Sequence, residues 1–115
     1  MGRSIGFTIA AIAMVAAISD ASAALSTSQT VNSGQKTGLV AFWNCDSHVP
    51  PIVQVDTPMH GTATVVMMTG DYCEHSGEPM EAVFYQSNPG FRGMDEVTVY
   101  GPYGEVEAYY DLTVK

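Results

Sequence analysis

Positive charge is what this 115-residue chain most lacks: four Lys and Arg stand against twelve Asp and Glu, for a net charge of −8. Neutralising a run of phosphates takes several cations, so nucleic-acid binding is excluded, and an anionic membrane surface would repel the chain. Helical periodicity is missing too, since beyond residue 23 no window carries apolar residues at i, i+3, i+4 and i+7. No apolar run reaches the roughly 18 to 20 residues of a membrane span. The zinc-hydrolase pattern His-Glu-x-x-His is absent. The carboxylate pairs do not make up for it. Asp95 and Glu96, adjacent on a strand, point to opposite faces, while Glu105 and Glu107 share one solvated face too closely to straddle a scissile bond. The expectation is a non-enzymatic protein with no cofactor.

What is present begins with an export signal. Arg3 supplies a positive n-region, Ile5 to Ile18 an apolar h-region, and Ala21-Ser22-Ala23 a small-residue cleavage site, so residues 1–23 read as a secretory signal peptide. Cleavage leaves no membrane insertion and removes Arg3 and Asp20 together, keeping the net charge at −8 with Lys36, Arg92 and Lys115 as the remaining cations. The expected location is periplasmic, or secreted to the cell surface, in a bacterium. Acidity of this size serves solubility. Cys45 and Cys73 are the only cysteines, and an even count in an exported chain predicts a disulfide between them.

The rest reads as strands. Gly38 to Trp43 is a continuous apolar run, the profile of a strand buried on both faces or lying under another sheet, with Trp43 expected in the core. Ile52 to Asp56 is a short strand, Thr62 to Thr69 a longer one, and Glu81 to Gln86 follows an expected loop over Asp71 to Met80. In Glu105 to Val114 the alternation sends Val106, Ala108, Tyr110, Leu112 and Val114 to a core face and Glu105, Glu107, Tyr109, Asp111 and Thr113 to a wet one. Gly101-Pro102-Tyr103-Gly104 turns Glu96 to Tyr100 into it as a hairpin. Turn signals recur at the spacing of a β-sandwich. Residues 24–37, rich in Ser, Thr, Gln and Asn, read as a flexible leader or, preferably, an edge strand anchored by Leu25 and Val31; residues 38–115 form the domain.

Asn88-Pro89-Gly90-Phe91-Arg92-Gly93-Met94-Asp95 is the most informative stretch. Phe91 is a lone large apolar residue between glycines that permit positive φ, so it plugs one end of the core, and Asp95 is placed to accept backbone N–H groups within the turn and fix the start of the next strand. Together with Pro58-Met59-His60-Gly61-Thr62 and Phe84-Tyr85, this stretch resembles the bacterial cadherin-like and immunoglobulin-like repeat domains of surface proteins, with their Pro-x-His/Asn-Gly-Thr strand opening and Pro-x-x-Phe-x-Gly-x-Asp turn. The resemblance covers about Pro58 to Val114. It implies an all-β, immunoglobulin-like antiparallel β-sandwich of about seven strands, here as a solitary copy.

Two surface constellations remain. Tyr100, Tyr103, Tyr109 and Tyr110 crowd the last hairpin, and those left outside by alternation, Tyr103 and Tyr109, form a candidate patch for a protein or glycan partner at the cell envelope. The expected function is accordingly a small binding or structural module. The competing reading is a periplasmic copper protein, because His48, His60 and His75 occur with Met59, Met67, Met68 and Met80. A Cys45–Cys73 disulfide would bring His48 and His75 together, with Met80 or Glu74 as a third ligand.

Overall fold

The computed structural model describes residues 24–115 throughout and, of the first 23, only the backbone of two strands. These are β1 (Ile5–Ile9) and β2 (Ile12–Ile18), paired antiparallel with Ile5 opposite Ile18. The expected cleavage site at Ala21-Ser22-Ala23, and with it the processing of the signal peptide, lies outside the described residues.

Seven further strands follow: β3 (Leu25–Val31), β4 (Thr37–Phe42), β5 (Gln54–Val55), β6 (Gly61–Tyr72), β7 (His75–Ser87), β8 (Gly93–Tyr100) and β9 (Val106–Val114). They form two sheets, in the orders β3-β9-β8-β5 and β4-β7-β6, with no helix among the described residues. This is the immunoglobulin arrangement, with β4, β7 and β6 in the places of strands B, E and D, and β5, β8 and β9 in those of C, F and G. One pairing departs from the antiparallel rule. The segment expected as an edge strand, β3, runs parallel to β9 from Leu25 opposite Ala108 to Val31 opposite Val114. Its alternation half-buries Leu25, Thr27 and Gln29, buries Val31 and leaves the serines outside.

Between the sheets lies the main core, built from Leu39, Val40 and Phe42 of β4, Val83 and Tyr85 of β7, Val97 and Val99 of β8, and Ala108, Tyr110, Leu112 and Val114 of β9. Leu39 and Val40 both face inward because β4 shifts register against β7 between Gly38 and Val40. Val106, read as a core residue, stands exposed at the start of β9. A second cluster covers the outer face of the three-stranded sheet: Ala41, Met80 and Ala82, with Trp43, Tyr72 and Phe84 packed on them. Trp43 therefore does not enter the inter-sheet core. It stacks on Tyr72, ring centroids 4.3 Å apart at 20°, and thickens a sheet that would otherwise be bare on that side.

The Pro-Gly-rich corner packs as its composition suggests, and it reaches further than one turn. Phe91 packs on the core and stacks on the His60 ring, centroids 4.1 Å apart at 7°. Gly93 has φ +140, and a Cβ there would stand 3.3 Å from the Phe91 ring. Asp95 is buried and accepts four hydrogen bonds: from the N–H of Glu96, from those of Met59 and His60, and from the Tyr85 hydroxyl at 2.7 Å. Three of these donors lie outside the turn expected to hold them. The carboxylate ties the opening of β6 to β7 and β8, which puts the His-Gly-Thr and Phe-x-Gly-x-Asp motifs in one hydrogen-bonded cluster.

The loop expected over Asp71 to Met80 is instead a hairpin. β6 and β7 continue pairing to Tyr72 opposite His75 around a two-residue turn, Cys73-Glu74. Gly70 and Pro79 both have partners in the ladder, Glu78 and Thr69, and Gly77 falls where the register shifts. Pro79 lies beyond the stretch Glu81–Tyr85 that pairs with β4, where β7 has a neighbour on one side only and a missing N–H on the other flank costs no ladder bond.

Candidate metal centre

The tip of the β6–β7 hairpin meets the turn that follows β4, and the Cys45–Cys73 disulfide joins them, Cα to Cα 5.3 Å. The β4 side is a tight turn of its own. The Asn44 side-chain oxygen accepts the N–H groups of Asp46 and Ser47 at 2.8 and 3.1 Å, and the His48 N–H donates to the Asn44 carbonyl at 2.8 Å. On the hairpin side, Cys73 and Glu74 have φ 58 and 62. Two consecutive positive φ values make a type I′ turn, a place normally taken by Asn-Gly. His48 has φ 58, so all three non-glycine residues with positive φ among the described residues gather at this corner. Each such conformation costs on the order of 1 kcal/mol, and strain of this kind concentrates at functional sites.

The side chains that converge there are His48, His75 and Glu78. Regular strand alternation would put His75 and Glu78, three residues apart, on opposite faces. A β-bulge overrides it. Between the pairs Gly70–Glu78 and Tyr72–His75, β6 advances two residues and β7 three, and the extra residue is accommodated at Gly77, φ +81. Both side chains then reach one place. From Glu78 onward β7 is regular, so Glu78 shares the outer face with Met80 and Ala82 at the end of the second cluster. Opposite it stands Gly70, over which the Tyr72 ring folds; a Cβ on residue 70 would come within 2.7 Å of that ring. Glu78 is thereby fully buried, 0% exposed, while the histidines stay open to solvent at 49% and 45%.

One carboxylate oxygen, Glu78 Oε1, meets both rings: His48 Nδ1 at 2.8 Å and His75 Nε2 at 2.5 Å. His75 Nδ1 lies 2.7 Å from the Ser76 carbonyl. A carbonyl and a carboxylate only accept, so both His75 nitrogens face acceptors, and the Ser76 carbonyl first, then Glu78, hold its pKa above the ordinary imidazole value. Burial alone would raise the pKa of Glu78. The two imidazole hydrogen bonds outweigh it and keep the group below the usual carboxylate value. The second oxygen, Glu78 Oε2, is buried with no hydrogen-bond partner.

These features fit a divalent transition metal. The three ligand atoms lie within 4.8 Å of one another. Two imidazoles and a carboxylate make the donor set of three-ligand zinc sites, and the exposed ring side leaves a coordination position open. His75 Nδ1–H on a backbone carbonyl is the outer contact that orients a ligating imidazole with Nε2 toward the ion. A metal ion here would be held by His48 Nδ1, His75 Nε2 and the Glu78 carboxylate.

His48 and His75 are thus brought together as the sequence suggested, their ring centroids 5.1 Å apart. The third donor is neither of those expected. Met80 is drawn into the apolar cluster with Trp43 and Tyr72, and Glu74 points outward from the turn. Glu78 falls within Asp71 to Met80, expected as a loop, where no alternation says which side chains meet; the signal that could have found it is the Gly at position 77. His60 is committed to its stack on Phe91, and Met59, Met67 and Met68 are exposed along the opening and middle of β6. Tyr103 projects from the β8–β9 turn, 92% exposed. Tyr109 is half-buried opposite Thr98, and burial and then the neighbouring Glu96 raise its pKa.

The chain matches no protein-family model, no curated protein and no solved structure.

Proposed function

We propose that this chain is a small exported immunoglobulin-like module that holds one divalent transition-metal ion, Zn²⁺ in the first instance, at His48, His75 and Glu78. The observation that carries the reading is the unpartnered Oε2 of a fully buried carboxylate whose other oxygen is flanked by two imidazoles. A buried polar atom left unpaired costs stability, and a carboxylate kept in that state beside two good metal ligands is accounted for by an ion. Export is supported by the leader-like N-terminus and by a disulfide, which persists in oxidising compartments. Kinship with the bacterial cadherin-like and immunoglobulin-like surface domains is supported by the way Asp95 gathers both of their motifs into one cluster. The test is competition for Zn²⁺ against a chromophoric chelator, using the disulfide form of the protein. One ion per chain is expected, with at least a tenfold loss of affinity in His75→Ala and in His48→Ala. Absence of stoichiometric binding would overturn the reading.

A second reading, a module for a protein or glycan partner, draws on Tyr103, whose ring stands almost wholly in solvent at a hairpin tip. Large rigid aromatic area is what interfaces use. A Tyr103→Ala, Tyr109→Ala protein that still captured every envelope partner retained by wild type would remove it.

A further inference from the structure

The three donors are not held in the same way. His75 and Glu78 belong to one strand, and the bulge at Gly77 and the Ser76 carbonyl fix their mutual placement without help from elsewhere. His48 comes from a separate segment. The bonds that shape its turn, donated by the Asp46, Ser47 and His48 N–H groups to Asn44, are internal to residues 44–48, and across to the hairpin the non-covalent ties are the His48 contact with Glu78 and the Trp43–Tyr72 stack just before the turn. The covalent tie is the disulfide, attached three residues before His48 on one side and two before His75 on the other. Both cysteines are half-buried.

We infer that the Cys45–Cys73 disulfide is a redox gate on the metal site: the disulfide form presents all three donors, and reduction releases His48 and with it the ion. The inference rests on the metal reading above and adds its regulation. In the reductive direction a dithiol supplies two electrons and two protons. The Cys45–Cys73 bond breaks, each sulfur takes up a proton, and the dithiol closes into its own disulfide. What stays fixed is a two-donor site, His75 and Glu78 on one strand, with His48 on a turn that has lost its covalent tether and keeps only the Trp43–Tyr72 stack beside it. Tethering a ligand raises its effective concentration, and losing the tether costs affinity by roughly 100-fold. Coupling of this kind is reciprocal, so the ion must in turn hold the disulfide closed by the same factor. For a two-electron couple, about 100-fold corresponds to a midpoint about 59 mV more negative.

The experiment equilibrates the full chain in a dithiol–disulfide buffer, with free Zn²⁺ held at zero or at saturation by a metal buffer, and counts thiols by alkylation and mass spectrometry. A midpoint shifted negative by about 60 mV with Zn²⁺, together with tighter chelator competition by the disulfide form than by the phosphine-reduced form, is the expected result. No shift would overturn the gate. A positive shift would overturn it as well, by showing that the free thiolates are themselves ligands. Trp43 emission read at the midpoint must show the reduced chain still folded; a negative shift that accompanies unfolding would overturn the gate in favour of a plain stability effect, because an ion that binds only the folded form gives that sign by itself. Zinc binding by the disulfide form with no shift sinks the gate alone, whereas no binding by the disulfide form sinks the metal reading and the gate with it.

Discussion

His75 and Glu78 lie three residues apart on one strand and still meet, ring nitrogen to carboxylate oxygen 2.5 Å, because Gly77 between them adopts φ +81 and inserts an extra residue into β7. The site therefore depends on a backbone conformation that few side chains accept. Gly77→Val is expected to lower stability by about 1 to 2 kcal/mol and to weaken Zn²⁺ binding, since a β-branched residue resists that conformation. Gly77→Asn should retain most of both. Urea unfolding and chelator competition on the two variants check this, and equal effects would count against the bulge as the organiser of the site.

Glu78 offers a way to separate structure from function. Burying a carboxylate costs desolvation, and apolar replacements of buried ionic groups are often neutral or stabilising. Glu78→Leu should then leave the midpoint of thermal unfolding of the metal-free protein unchanged or higher, because it extends the cluster of Met80, Ala82, Trp43 and Tyr72. The same variant should bind no Zn²⁺. A large fall in the midpoint would mean that the carboxylate serves the fold.

Asp95 should prove more costly to remove than the aromatic beside it. Asp95→Ala strands the N–H groups of Met59 and His60 and the buried Tyr85 hydroxyl, for a loss of about 3 kcal/mol or more. Tyr85→Phe, which deletes one donor, should cost about 1 kcal/mol, and the double variant should fall short of the sum because both act on one network. Denaturant titrations give all three values.

Phe91→Ala is expected to cost about 2 to 3 kcal/mol, less than a fully buried aromatic because Phe91 is only partly buried on the core. Arg92→Ala, fully on the surface, should change stability by under about 0.5 kcal/mol. Similar and small effects at both positions would show that the corner contributes little.

Reducing the disulfide should lower the thermal midpoint markedly. The bond spans 28 residues, and closing such a loop in the unfolded chain is worth about 3 to 4 kcal/mol, a large share of the stability of a domain this small. Calorimetry with and without a phosphine reductant measures it.

The fold class was legible because it rests on local patterns. The two-residue alternation of Glu105 to Val114, the apolar run of Gly38 to Trp43 and the Pro-Gly corner before Asp95 each state where a strand lies or where the chain turns, and two cysteines can pair in only one way. The meeting of His48 with His75 followed from that pairing. What the sequence could not state is anything that depends on a change of parity or on which sheet lies above which. The bulge at Gly77 moved Glu78 to the side of His75, against the alternation that holds elsewhere in β7. The stack on Tyr72 carried Trp43 to the outside of its sheet, and β3 found β9 as a parallel neighbour through contacts about eighty residues away in sequence. Asp95 carries hydrogen-bond acceptors wherever it stands; only the approach of the β6 opening and the Tyr85 hydroxyl from outside its own turn decided what they accept. Local spacing determines the elements, whereas the donor set of a site is a property of the distances that packing imposes between them.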